Sequence, residues 1–185
     1  GYPEFATQWP HRQAVTLNTL AHNTVVVDQA PQARVYGGHT RLFKALPGLT
    51  AVRVDGAKDA YPQAKQYTRT MLLIDAPPAD GTGEAVGTGA ITTQDGSRAS
   101  AYVVDIFHVT GGKDHVYSFH GPPGVVTPGA IELAAQKGGT YAGEDVPFKA
   151  DKGPFGYSWW YNVRRNPRPP ARFTFDWKAE AGYRG

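Results

Sequence analysis

Arg172-Phe173-Thr174-Phe175-Asp176-Trp177-Lys178 alternates aromatic and polar side chains without a break. A period of two is the strand period. Phe173, Phe175 and Trp177 therefore share one face and Arg172, Thr174, Asp176 and Lys178 the other, which predicts one buried and one wet face in an antiparallel sheet. Working outward, short runs rich in β-branched and aromatic residues recur between turn signals at 24–28, 41–44, 51–55, 66–74, 101–109, 115–120 and 156–163. Thr110-Gly111-Gly112-Lys113-Asp114 has hairpin length, so the strands flanking it are expected to pair. Residues 76–100 and 121–151 read as long excursions, with helical character only at 130–136. The fold class expected is all-β, an antiparallel multi-stranded β-sandwich forming a single domain over residues 1–185.

Composition agrees. The 22 glycines and 15 prolines among 185 residues interrupt any long helix. Apolar residues at 41% and charged residues at 19% place the chain among folded soluble domains and away from the disordered regime. A net charge of +3 with no block of like charges lacks the usual footprint of nucleic-acid or membrane-surface binding, yet is compatible with acidic glycans. With no cysteine, disulfides and thiolate metal sites are excluded. No apolar run approaches the roughly 20 residues of a membrane span. Gly1-Tyr2-Pro3 opens no signal peptide, so the expectation is of a start removed or never included.

Three stretches carry a resemblance. Ala21-His22-Asn23-Thr24-Val25-Val26-Val27-Asp28-Gln29 is a His-Asn-Thr-Val strand ending in an Asp turn. Tyr67-Thr68-Arg69-Thr70-Met71-Leu72-Leu73-Ile74-Asp75 is followed by Ala101-Tyr102-Val103-Val104-Asp105-Ile106-Phe107-His108-Val109 and Gly111-Gly112. His115-Val116-Tyr117-Ser118-Phe119-His120-Gly121 is the third, with a weaker echo at 157–165. In this order and spacing they resemble the C-terminal β-domain of the heparinase II/III family of polysaccharide lyases, over nearly the whole chain to about Lys178. The resemblance implies a second half, an (α/α) toroid, and a glycan held between the two; this sequence has none of the amphipathic segments a toroid needs. It implies a fragment of a periplasmic or secreted bacterial enzyme that degrades acidic, uronic-acid polysaccharides and is inactive without its helical half.

Such a lyase neutralises the uronate carboxylate, removes the C5 proton and protonates the departing C4 oxygen. Arg, Asn, His or a metal suits the first task, and His and Tyr the others. As the resemblance implies, the toroid brings a Tyr and an Asn or His, while the β-domain brings a His and a zinc site held by His, Asp and His. His22 matches the motif histidine, as metal ligand or active-site group; the alternative is a histidine that caps its strand. Where several members carry the second ligand histidine this chain has Tyr67, a poor zinc ligand because its pKa is near 10, so beside His22 the site is either empty, altered or completed by His39, and its middle ligand is Asp28 or an acceptor near His39. Tyr67 and Arg69, two apart, share a strand face. Arg69 there either recognises an anionic sugar group or pairs with a neighbouring carboxylate.

His108 reads as a satisfied group on an apolar face, and Asp105 as a buried, hydrogen-bonded carboxylate. His115 and His120 lie on opposite faces of one strand, His120 at its end before Gly121-Pro122-Pro123. Trp159, Trp160 and Tyr161 offer either a sugar-stacking platform or core packing. The rival to the lyase is a non-catalytic glycan-binding or structural sandwich. No facing pair of acidic residues suggests a glycoside hydrolase.

Overall fold

The computed structural model describes residues 9–35, 37–56, 60–76, 91–92 and 98–180, with backbone alone at 91–92 and 98–100. Eleven strands lie among them: β1 (Thr24–Val27), β2 (His39–Leu46), β3 (Leu49–Asp55), β4 (Ala64–Ala76), β5 (Ile91–Thr92), β6 (Arg98–Gly111), β7 (His115–Ser118), β8 (Gly124–Gly129), β9 (Ala134–Ala135), β10 (Arg164–Arg165) and β11 (Thr174–Ala179). Every pairing among them is antiparallel, and the fold is all-β, as expected of the sandwich class. Contacts divide the chain into two compact units. The first comprises Gly1–Gln32 and Lys113–Gly185, and the second, Ala33–Gly112, is inserted into it.

The inserted unit is one five-stranded sheet in the order β2-β3-β4-β6-β5. Its long strands follow from runs such as Thr70-Met71-Leu72-Leu73-Ile74 and Tyr102-Val103-Val104, whose branched and aromatic side chains suit a pleated surface. β4 and β6 keep register from Gln66↔Thr110 to Ala76↔Ser100. Ala51, Ala60, Tyr61, Ala64, Tyr67 and Thr68 are buried within this unit. Most of residues 76–100, the expected excursion, falls outside the described residues.

In the first unit, β1 pairs with β7, and Val25, Val26 and Val27 are all buried. Leu20, Val26 and Tyr157 form its core, with Val116, Tyr141, Ala142 and Trp160 packed around them. β8 pairs with β11, and β9 with β10.

Four expectations need correction here. The strands flanking Gly111-Gly112 do not pair with each other, because β6 lies on β4 and β7 on β1. The reason is local: Gly111, at φ 85°, closes so tightly on β4 that an added Cβ would sit 2.6 Å from the Gln63 carbonyl, and the amides of Lys113 and Asp114 are taken by Asp28. Residues 130–136 form no helix; Ala130 turns at φ 57° and Ala134–Ala135 extend as β9. Residues 156–163 are not a strand but a 3-10 turn, Tyr157–Trp159, followed by irregular chain. Gly156 starts the turn in left-handed backbone, φ 81°, close against Asn18 and the Ala14 carbonyl, a conformation a strand does not use. Finally, β11 alternates as read, yet both its faces are exposed, with Phe173, Phe175 and Trp177 at 45, 47 and 39%.

Candidate functional site

The residues singled out in the sequence fall in both units. His22 caps the end of a 3-10 turn, Thr19–Ala21, its backbone N–H donating to the Thr19 carbonyl, and the residue is exposed just ahead of β1. Asp28 follows β1 in left-handed backbone, φ 53°, a conformation Asp tolerates. Its Oδ1 accepts from the amides of Lys113 (2.5 Å) and Asp114 (3.0 Å). These two bonds, the Lys113 one first, hold its carboxyl below the usual aspartate range.

His39 belongs to the inserted sheet, exposed at the start of β2 and opposite Asp55. Tyr67 and Arg69 share a face of β4, as read, and meet over one ring: Phe107 lies 6.1 Å from the Tyr67 ring and 4.8 Å beneath the Arg69 guanidinium. Tyr67 is buried, with Tyr61 on its other side at 5.3 Å. Arg69 grips Asp105 with two parallel bonds, Nε to Oδ1 and Nη2 to Oδ2, both 2.9 Å. Of the two roles open to Arg69, the paired one is found, and Asp105 is hydrogen-bonded as expected but half-buried rather than buried. His108 is exposed rather than packed in an apolar face.

Of the expected metal residues, His22 and Asp28 belong to the first unit, where Asp28 spends Oδ1 on two amides, and His39 belongs to the inserted one. Among the described residues no group of three or more His, Asp or Glu could hold a metal ion.

Sequence reasoning missed a different group. The first unit contains an open pocket of about 280 Å³ lined by Tyr117, Phe119, His120, Tyr141, Trp160 and Val163, among others. His120 is held on every side. Asn23, the middle residue of His22-Asn23-Thr24, brackets its backbone: Oδ1 accepts from His120 N–H at 2.5 Å and Nδ2 donates to the His120 carbonyl at 3.2 Å. The ring lies 5.0 Å from that of Trp160. Its Nε2 is 2.7 Å from the Leu20 carbonyl and 2.8 Å from Ser118 Oγ, while Ser118 Oγ itself donates to the same carbonyl at 2.6 Å.

This triangle fixes the tautomer. A carbonyl oxygen only accepts, so Nε2 must carry the proton, and in the neutral ring Nδ1 then carries the lone pair. Ser118 is buried and its hydroxyl proton goes to Leu20, so the pair is not a nucleophile with its base. Around the imidazole stand aromatic walls with few polar groups, the usual makeup of a small-ligand or sugar site. The signal available in sequence was His120's place at a strand end before Gly121-Pro122-Pro123; its partner Leu20, 100 residues away, left no local trace.

Trp159 and Trp160 diverge. Trp160 serves the pocket, whereas Trp159 packs with Trp9, His11 and Phe148, and exposed Tyr161 meets Phe148 edge-on. No family model, curated protein or solved structure matches the chain. No helix of the described residues is long and apolar enough to cross a membrane.

Proposed function

We propose that this chain is the β-domain of a bacterial, periplasmic or secreted polysaccharide lyase that cleaves uronic-acid glycans by β-elimination, with the His120 pocket forming part of the substrate cleft. The observation that carries the reading is an imidazole whose Nε2 is committed to the Leu20 carbonyl and whose Nδ1 is left as the proton acceptor, set between aromatic walls. In the reaction, Nδ1 takes the C5 proton of the uronate, the released electron pair forms the C4–C5 double bond, and the C4–oxygen bond breaks. The departing oxygen takes a proton from an acid of the helical half, which the family resemblance implies. Asn23 and Ser118 are positioning residues for His120, which accounts for the His-Asn-Thr motif through its asparagine. Exposed His22, next to Asn23, is the second histidine available to the cleft. The exposed aromatic face of β11 is a surface that a helical half would cover.

A second reading, a glycan-binding module without catalysis, is favoured by the engagement of Arg69 with Asp105 and the burial of Tyr67, which withdraw two groups from any cleft. One experiment separates them. The parent protein, expressed whole with wild-type, His120→Ala and His22→Ala sequences, is given a panel of uronic-acid polysaccharides while the ultraviolet absorbance of unsaturated uronate is followed. A lyase whose base is His120 loses about 10²- to 10⁴-fold in kcat on His120→Ala. A folded parent protein that releases no unsaturated product from any glycan, while still binding one, is a binding module.

A further inference from the structure

Beside the pocket stands a cation that nothing in the reaction above employs. Arg165 of β10 places its guanidinium 5.1 Å over the ring of Tyr141, a pocket wall, and lies two residues from Val163, another. Its Nε donates to Gln136 Oε1 at 3.1 Å. Gln136 is itself locked: its Nε2 donates to the carbonyls of Gly138 (2.7 Å) and Thr140 (2.9 Å), so its oxygen can only face the arginine. The backbone is pinned as well, through the Arg165↔Ala134 pairing and the bond from Gln136 N–H to the Val163 carbonyl. Among the described residues no carboxylate pairs with Arg165, in contrast to Arg69, Arg41 and Lys152.

An exposed arginine normally samples many rotamers, and holding one in place costs side-chain entropy. Here an aromatic face and a fixed amide oxygen at Nε hold it. The two Nη groups are the pair that can grip a carboxylate end-on with two parallel bonds.

We infer that Arg165 is the anion-reading residue of the His120 pocket, binding the carboxylate of a uronic acid and so selecting charged over neutral saccharides. The inference rests on the saccharide reading of the pocket and adds the group that reads the ligand's charge. In a lyase the same contact draws charge from the carboxylate as the C5 proton leaves.

The test uses the full chain and isothermal titration with hexasaccharides of alginate, hyaluronan and heparan sulfate, each beside its carboxyl-reduced counterpart. Arg165→Gln weakens the carboxylate-bearing ligand that wild type binds by about tenfold or more and leaves the reduced one unchanged. Arg165→Lys, which keeps the charge without the planar fork, falls between and guards against a folding defect in the glutamine variant. Phe119→Ala, in an exposed pocket wall, weakens charged and reduced ligands alike. If Arg165→Gln binds the charged hexasaccharide as wild type does while Phe119→Ala loses it, the arginine's role is refuted and the saccharide pocket stands. Equal weakening of charged and reduced ligands by Arg165→Gln also refutes it, as does a preference of wild type for the sulfates of heparan sulfate that carboxyl reduction leaves untouched. If folded wild type binds no hexasaccharide, the pocket reading and the inference fall together.

Discussion

In the inserted sheet β4 and β6 match over twelve register pairs, whereas among the described residues of the other unit the longest ladder, β8 with β11, has six and β9 with β10 only two. The two units also spend their polar side chains differently. On the sheet, Arg69 is turned onto Asp105, a neighbour on the next strand, and charge is cancelled inside the element that supplies it. In the irregular unit, side chains satisfy backbone instead: Asn23 binds His120, Ser118 binds Leu20 and Asn18 binds the Phe155 carbonyl at 2.8 Å, all far away in sequence, while Gln136 binds the nearby carbonyls of Gly138 and Thr140. Regular ladders satisfy their own amides and carbonyls, so their side chains need only cover a surface. Irregular chain must recruit side chains to satisfy it, and that recruitment fixes His120 and Arg165 in defined orientations.

The comparison can be broken at several points. Leu20→Ala opens a cavity in the core of the first unit and costs about 3 kcal/mol. Urea unfolding followed by amide exchange should place the loss at Val26 and Val116 with the β4 amides unchanged; loss of protection throughout β4 would mean that the units do not differ as described. Arg69→Ala strands the Asp105 carboxylate, whose side chain is 17% exposed, and costs about 2 kcal/mol, discounted from the fully buried case because water reaches both partners. Arg69→Met with Asp105→Leu should recover most of that loss, and failure to recover would show that the pair does more than cancel charge.

The Thr140 hydroxyl is buried and has no hydrogen-bond partner. Thr140→Val keeps its shape, removes the unsatisfied group and is expected to raise stability by about 1 kcal/mol in thermal unfolding. The smallest effect belongs to Asp28. Its folded pKa lies below the ordinary 3.8, so its contribution is complete above that value and is lost as pH falls through the lowered one. The stability gap between wild type and Asp28→Ala should therefore hold steady from neutral pH down to about 3.8 and close below it; a gap that closes at higher pH would contradict the bonding to Lys113 and Asp114.

What was legible in the sequence follows the same division. β1, β3, β4 and β6 are found within a few residues of their readings, because runs such as Thr24-Val25-Val26-Val27 and Tyr67-Thr68-Arg69-Thr70-Met71 carry their conformation in their own side chains. β8, β9 and β10 were not foreseen, since Gly124-Val125-Val126-Thr127-Pro128-Gly129 sits among turn-forming residues and the other two extend only through pairing with each other. The Asp28 turn and the Arg69–Asp105 pairing were within reach, being local or one strand away. His120 was seen as a strand-end histidine, but its fixed tautomer depends on a carbonyl that only the folded chain brings near.

The insertion of one unit within the other has a consequence for how the protein reaches this state. Residues Ala33–Gly112 are contiguous, so their sheet can assemble from contacts made within one stretch as the chain is synthesised. β1 must wait. Its partner β7 comes after that stretch, and Val27 cannot meet His115 until the whole insert has been made. The pocket that β7 helps to build thus takes shape only after the insert has been made, and Asp28, reaching for the amides of Lys113 and Asp114, is the latch that fastens β7 beside β1.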